Sequence, residues 1–267
     1  MTDAWHDLRR FTAARIALGR AGGSLLTEAL LDFRLAHARA RDAVGSPFDA
    51  IGFTEELRAL GVEVLCVESK AATQPEFLRR PDLGRRLAAA SRAPLKTHAR
   101  AKSGVPFDLA LIVSNGLSSL ATTRQAPSLL AALIPLIRQS GWSLAPLIVA
   151  ANGRVALQDE IGALLGARLS LMLLGERPGL GASDSLGAYF TYGPRPGRTD
   201  AERNCVSNIR PEGLPPAEAA HKLFHLIGES FRRRLSGVDL KDETQEPRRV
   251  TDDPKGSTVY LDAASKE

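Results

Sequence analysis

Four short runs stand out because nearly every position in them is apolar: Val62–Val67 (VEVLCV), Leu109–Ser114 (LALIVS), Leu144–Ala150 (LAPLIVA) and Arg168–Leu174 (RLSLMLL). A strand with one wet face alternates apolar and polar side chains, so runs without alternation predict strands covered on both faces. Helix-like stretches, Ala126–Gln139 (APSLLAALIPLIRQ) and Leu157–Gly166 (LQDEIGALLG), separate the last three. Strands alternating with helices predict an α/β fold, a doubly wound, mostly parallel Rossmann-like sheet. A long helix is predicted after Pro215–Pro216, through AEAAHKLFHLIGESFRRRL to Gly237.

Upstream of these runs the pattern is helical. With Ser24 as N-cap, Leu26, Leu30, Phe33, Ala40 and Val44 recur on one helix face. Gly19, Gly22 and Gly23 divide this helix from an earlier one around Leu8 to Leu18, and a short helix is expected over Thr54–Leu60. The organisation expected is a small helical N-terminal region at 1–60, an α/β domain at 61–241, and a charged, apolar-poor tail at 242–267 that is disordered.

Composition narrows the class. With 44% hydrophobic and 24% charged residues, the chain has enough apolar material for a sizeable core. Cys66 and Cys205 stand far apart with no CxxC pair, which fits a reducing compartment and no disulfide framework. The polar start has no secretory segment, and no apolar stretch approaches the ~20 residues of a membrane span, so a soluble intracellular protein is expected. The net charge of +5 draws attention to Arg79–Lys102, with eight Lys or Arg against Asp82 alone. That segment lacks interleaved aromatics or any nucleic-acid motif, so a solvated or partner-facing basic surface is expected, with no nucleic acid bound.

Ligands of open parallel sheets bind beyond the carboxyl ends of the strands. The residues there are Asn115-Gly116-Leu117-Ser118, Asn152-Gly153-Arg154-Val155 and Gly175-Glu176-Arg177-Pro178-Gly179-Leu180-Gly181. The glycines either let backbone approach a ligand or merely turn the chain. Neither G-x-G-x-x-G nor G-x-x-x-x-G-K-[ST] occurs, so no dinucleotide or nucleoside triphosphate is indicated. Glu176 either accepts hydrogen bonds from neutral donors or pairs with Arg177 or another arginine; spacing leaves both open. His221 and His225 lie four apart on a helix but lack a third ligand, so no metal site is assigned. Cys66 reads as core filling, whereas Cys205, among polar residues, is a candidate site residue. No Ser/His/Asp or Cys/His set assembles.

Five blocks carry a resemblance: DLRRFTAARIALGRAG (Asp7–Gly22), RPDLGRRL (Arg80–Leu87), GRVALQDEIG (Gly153–Gly162), LLGERPGLGASDSLGAY (Leu173–Tyr189) and DAERNCVSNIR (Asp200–Arg210). In this order and spacing the chain resembles the small subunit of ethanolamine ammonia-lyase, from about residue 7 to about residue 240. The resemblance implies one subunit of an adenosylcobalamin-dependent lyase that converts ethanolamine to acetaldehyde and ammonia by a radical mechanism. It implies a TIM-barrel large subunit that holds the substrate in a hexameric core, with the coenzyme clamped between the two chains. Cobalamin contacts then fall on Val155, Glu176 and Cys205, and no catalytic residue is assigned to this chain.

None of His6, His37, His98, His221 or His225 has Asp two positions before it, so the Asp-x-His-x-x-Gly motif that replaces the coenzyme's lower base is missing. Binding with benzimidazole still on cobalt is therefore expected. The family pattern usually carries Asp where this chain has Asn115, which removes a charge at the crevice. Because the match starts at Asp7, a microcompartment-directing extension is not expected; cytoplasmic residence is, with a bacterial microcompartment as the alternative. Two other readings stay open: a stand-alone α/β enzyme acting on a small polar substrate at the same crevice, and a non-catalytic adaptor subunit.

Overall fold

In a computed structural model, residues 5–12, 14–101 and 105–242 are described. Six strands form one mixed sheet: β1 (Val64–Glu68), β2 (Phe107–Ser114), β3 (Leu147–Ala151), β4 (Ala167–Gly175), β5 (Leu186–Tyr192) and β6 (Asn204–Ile209), in spatial order β1-β3-β2-β4-β5-β6. The first four strands pair in parallel, while β5 joins β4 and β6 joins β5 antiparallel. Seven α-helices accompany them among the described residues: α1 (Thr27–Gly45), α2 (Ala50–Arg58), α3 (Gln74–Arg79), α4 (Ala89–Ala101), α5 (Ser119–Gln139), α6 (Leu157–Leu165) and α7 (Pro216–Arg233).

The four apolar runs are the four parallel strands, and in β2, β3 and β4 the lack of alternation has the expected cause, whereas β1, at the sheet edge, leaves Cys66 and Glu68 exposed. Leu109, Leu111 and Val113 of β2 enter a core built with Phe53 and Leu57 of α2, Leu129 and Leu133 of α5, and Leu223 and Ile227 of α7. Their neighbours Ala110 and Ile112 enter a second core with Leu95 of α4 and Leu157 and Ile161 of α6. Both sides of the pleat are dry, so both sets of positions must be apolar.

Helix boundaries follow their caps. Helix α5 begins seven residues before the predicted Ala126 because the Ser118 hydroxyl accepts from the Ala121 N–H at 3.2 Å, and it continues across Pro127 and Pro135. Helix α2 starts at Ala50, where Asp49 accepts from the Gly52 N–H at 2.9 Å. Helix α5 is long and apolar enough to cross a membrane, although the sequence offers no uninterrupted apolar run of that length; half of that stretch is buried against the sheet and α7.

The N-terminal segment departs from expectation. Residues His6–Phe11 form a 3-10 helix that ends at Thr12 instead of a helix to Leu18. Ser24 does not cap α1; its backbone bridges Ala21, and α1 starts from Leu26 with no side-chain cap. On α1 only Ala36 and Ala43 are buried, while Leu26 and Phe33 of the predicted inner face are exposed. The reason is packing: α1 meets α5, and α3 through a hydrogen bond from the Gln74 amide to the Val44 carbonyl, so Leu30, Ala40 and Val44 of the predicted face are half-buried while Leu26 and Phe33 stay outside the contact. The tail from 243 onward, expected to be disordered, lies outside the described residues.

Strands β5 and β6 were not anticipated. Leu186, Ala188, Phe190, Val206 and Ile209 are buried under α5 and α7, whereas Tyr189 is half-buried and Cys205 and Ser207 are exposed on the other side. A buried ion pair, Arg203 to Asp159 at 2.6 Å, ties the connection before β6 to α6.

Candidate functional site

The chain leaves β2 for α5 on one face of the sheet and leaves the adjacent β3 for α6 on the other, which opens a crevice between their carboxyl ends. Side chains stitch these exits together. The Asn115 side-chain oxygen Oδ1 accepts from the Asn152 N–H at 2.7 Å, and its Nδ2 donates to Asn152 Oδ1 at 3.4 Å. The Gly153 N–H donates to Ser114 Oγ at 2.9 Å, and the Ser69 hydroxyl donates to the Asn152 carbonyl at 2.8 Å. Asn115 is thus a buried structural link, and its neutral amide both accepts and donates, which a carboxylate could not do.

The exits of β2 and β4 touch directly. The Leu117 N–H donates to the Gly175 carbonyl at 2.9 Å, and a Cβ on Gly175 would lie 2.0 Å from the Ser118 carbonyl oxygen. Glycine there serves close approach of protein to protein, not to a ligand. Only Gly179 and Gly181, farther along the loop, have open space around them.

Glu176, the first residue beyond β4, is held from one side. Its Oε2 accepts from the Ser185 hydroxyl and, at 3.2 Å, from the Asn208 N–H. Its Oε1 accepts no hydrogen bond among the described residues and lies over Gly187, where a Cβ would come within 2.9 Å of it. The expected alternative of an ion pair is not realised: neither Arg177 nor any other described arginine pairs with Glu176. Beside it Tyr189 and Cys205 are opposite each other in β5 and β6, with their side chains hydrogen-bonded. Burial pushes the Cys205 thiol above its ordinary pKa and the Glu176 charge adds to the rise, while Tyr189 is raised by burial and by the charges of Cys205 and Glu176. Both groups stay neutral near pH 7.

Val155 sits in the turn into α6, half-buried. It lines a hollow of about 510 Å³, and Glu176 and Tyr189 line a neighbouring one of about 410 Å³; Arg154 and Leu174 belong to both. Arg154 stacks over the Phe77 ring at 4.2 Å and donates to the Phe77 carbonyl at 3.2 Å. Burial lowers its pKa, and the charges of Arg85 and Arg177 lower it further. Val155, Glu176 and Cys205, far apart in sequence, therefore stand along one rim, joined through Arg154, Leu174 and Tyr189. On its other side Cys205 also borders a hollow of about 340 Å³ with Lys222 and Leu226 of α7.

The pattern of the ethanolamine ammonia-lyase light chain (EutC) family matches residues 2–241. The ethanolamine ammonia-lyase small subunit of Azotobacter vinelandii is 54% identical over 244 residues, covering 91% of this chain and 90% of that one. That of Pseudomonas fluorescens strain SBW25 is 52% identical over 250 residues (94% and 90%), and that of Ralstonia nicotianae 53% over 243 residues (91% and 90%). The chain belongs to the ethanolamine ammonia-lyase light chain family. It is thus one part of an ammonia-lyase, and as a small subunit it has a large-subunit partner.

Within this light chain, the remaining candidates lie elsewhere. Cys66 is exposed and not core filling: β1 is an outer strand of the sheet, and the Cys66 side chain is hydrogen-bonded to Thr54 of α2. His221 and His225 are exposed on α7, away from the rim. Much of the basic stretch forms α3, α4 and the turn between them, with Arg80 paired to Asp82 at 2.8 Å and Arg92 to Glu160 at 2.7 Å. Sequence reasoning missed Ser185, Asn208 and Tyr189. The alternation in LGAYFTY (Leu186–Tyr192) was the available signal for a strand, with Tyr189 half-buried on the side opposite Leu186, Ala188 and Phe190.

Proposed function

We propose that this chain forms one half of a cradle for adenosylcobalamin, closed by the large subunit of ethanolamine ammonia-lyase, which would hold the substrate site for converting ethanolamine to acetaldehyde and ammonia. The observation that carries this reading is Glu176: one carboxylate oxygen is pinned by Ser185 and Asn208, and the other is left to accept at the rim. A ligand fringed with primary amides matches that acceptor. The residues around it fit a broad ligand, because the open side of β5 and β6 is shallow and carries Tyr189, Cys205 and Ser207 rather than a helix.

When bound, the coenzyme supplies the radical chemistry. The residues of this chain bind and orient. Glu176 would accept from a side-chain amide, the neutral Cys205 thiol would contact the ligand without placing a charge against it, and Val155 would pack at the edge and exclude water. The residues lining the hollows offer the carboxylates of Glu176, Asp200 and Asp242, the Cys205 thiol, the Lys222 ammonium and several guanidinium groups, which would hold a broad, amide-fringed ligand through hydrogen bonds. No proton-transfer role falls to this chain.

The same reading takes 61–241 as the cobalamin-contacting domain of a doubly wound, Rossmann-like fold and 1–60 as a helical region preceding it; parallel strands with helices on both faces support it. It places the enzyme in the cytoplasm, with a bacterial microcompartment as the alternative that co-sedimentation with shell proteins would reveal. The deciding experiment is a coenzyme titration of the assembled enzyme carrying Glu176→Ala. Loss of a charge-assisted hydrogen bond should weaken affinity by about 1.5–3 kcal/mol. Unchanged affinity would refute the cradle.

A further inference from the structure

We propose that Arg85, Arg154 and Arg177 form an anion site for a phosphate group on the rim that holds Val155 and Glu176. Arg154 is the centre of the argument, because it lines both hollows. Its guanidinium is fixed over Phe77, yet its Nε is buried and has no hydrogen-bond partner among the described residues. A buried donor left unpaired is costly, and native structures seldom tolerate one without a ligand or water to satisfy it.

The surrounding charge points the same way. Arg85 lines one hollow with Arg154 and Arg177 the other, both exposed. Among the described residues no carboxylate lies within ion-pair distance of any of the three. The neighbouring acids are already engaged: Asp82 with Arg80 at 2.8 Å, Glu160 with Arg92 at 2.7 Å and Asp200 with Arg203 at 3.3 Å. Glu176 shares a hollow with Arg154 and Arg177 but is turned to Ser185 and Asn208 through one oxygen and makes no ion pair with either arginine. Three guanidinium groups held close together with no carboxylate in ion-pair contact repel one another, and a tetrahedral oxyanion relieves that repulsion. Arginine forks match phosphate oxygens in pairs, which a lysine cluster would not do.

Two sources share this chemistry: the phosphodiester of the coenzyme's nucleotide loop and free phosphate. The first rests on the cradle reading; the second does not. The test uses the assembled enzyme with Arg154→Gln, Arg85→Gln and Arg177→Gln. The last two change exposed side chains with no recorded contact, so they remain informative should the first fail to fold. Each is titrated spectroscopically with adenosylcobalamin and with adenosylcobinamide, which lacks the phosphate and the base, and calorimetrically with inorganic phosphate alone.

Losses on the order of tenfold or more for adenosylcobalamin, with adenosylcobinamide unaffected, support the site and assign it to the coenzyme. Phosphate binding by the wild type that the variants abolish supports it with free phosphate as the occupant. Equal losses for both corrinoids, or loss of subunit association in place of ligand binding, overturn it; the second outcome would give the arginines to an acidic surface of the partner. Should Glu176→Ala weaken coenzyme binding while the arginine variants do not, the anion site falls and the cradle stands. Should Glu176→Ala have no effect, the cradle falls and the phosphate titration alone decides the anion site.

Discussion

The two halves of the sheet solve the same problem differently. Strands β1 to β4 run parallel between two helix layers, and from Leu109 to Ser114 every residue of β2 is buried. Strands β5 and β6 run antiparallel at one edge, with α7 on one side and the other side part-open, where Cys205 and Ser207 are exposed. The contrast teaches where function can sit. A strand buried on both faces offers only its end to a ligand, whereas a strand covered on one face offers side chains along its length. The rim uses both: Glu176 and Val155 stand at ends, and Tyr189 and Cys205 stand on the open face.

The most severe way to break the first half is Gly175→Ala. The new methyl would lie 2.0 Å from the Ser118 carbonyl and 2.5 Å from that of Asn115, so the exits of β2 and β4 must part. We expect a loss of ~3–5 kcal/mol in denaturant unfolding, or failure to fold. Next comes the covered side of the second half. Ile209→Ala, at a fully buried position under α7, should cost ~2–4 kcal/mol, whereas Ser207→Ala on the open side should change stability by less than ~0.5 kcal/mol. Equal costs would mean that the two faces of β6 are not distinguished in the way described.

A smaller effect separates the halves by pH. Glu202, in the connection between β5 and β6, accepts from the Thr199 N–H at 2.7 Å and pairs with Arg198, which takes its carboxyl from an ordinary 4.5 down to about 2. Its contribution to stability is present above about pH 4.5 and is lost as pH falls from there towards 2. Glu202→Gln should therefore flatten the acid limb of an unfolding-versus-pH profile in that window; an unchanged profile would contradict the pairing. The smallest effect is on Cys205. Burial is the larger cause that holds the thiol protonated, and replacing Glu176 by Gln removes the charge that adds to it, so alkylation of Cys205, followed by peptide mass spectrometry near pH 8, should quicken by less than about tenfold.

Legibility followed the same division. The parallel strands β2, β3 and β4 were readable within a few residues because burial on both faces leaves an unbroken apolar run, while the outer strand β1 keeps an apolar run although Cys66 and Glu68 are exposed. Strands β5 and β6 were not, since half their positions are polar or glycine and β6 (NCVSNI) resembles a loop. Helix α1 misled in the opposite sense: its apolar periodicity is real, but α5 and α3 cover only part of it, and Phe33 stays exposed. Glu176 was legible as a strand-end acceptor, yet the reason one oxygen remains open lies with Ser185 and Asn208, nine and thirty-two positions away.

By itself the sequence determined the element types of the central sheet, the loops that gather at its carboxyl end, and the family to which the chain belongs, because these depend on local pattern and residue identity. Only the tertiary structure decided which face of β5 and β6 is more open, which glycines serve packing, and that Arg154 has its Nε enclosed without an ion-paired acid. Those features depend on long-range burial and on the charges of residues far apart in the chain, and no local pattern encodes them.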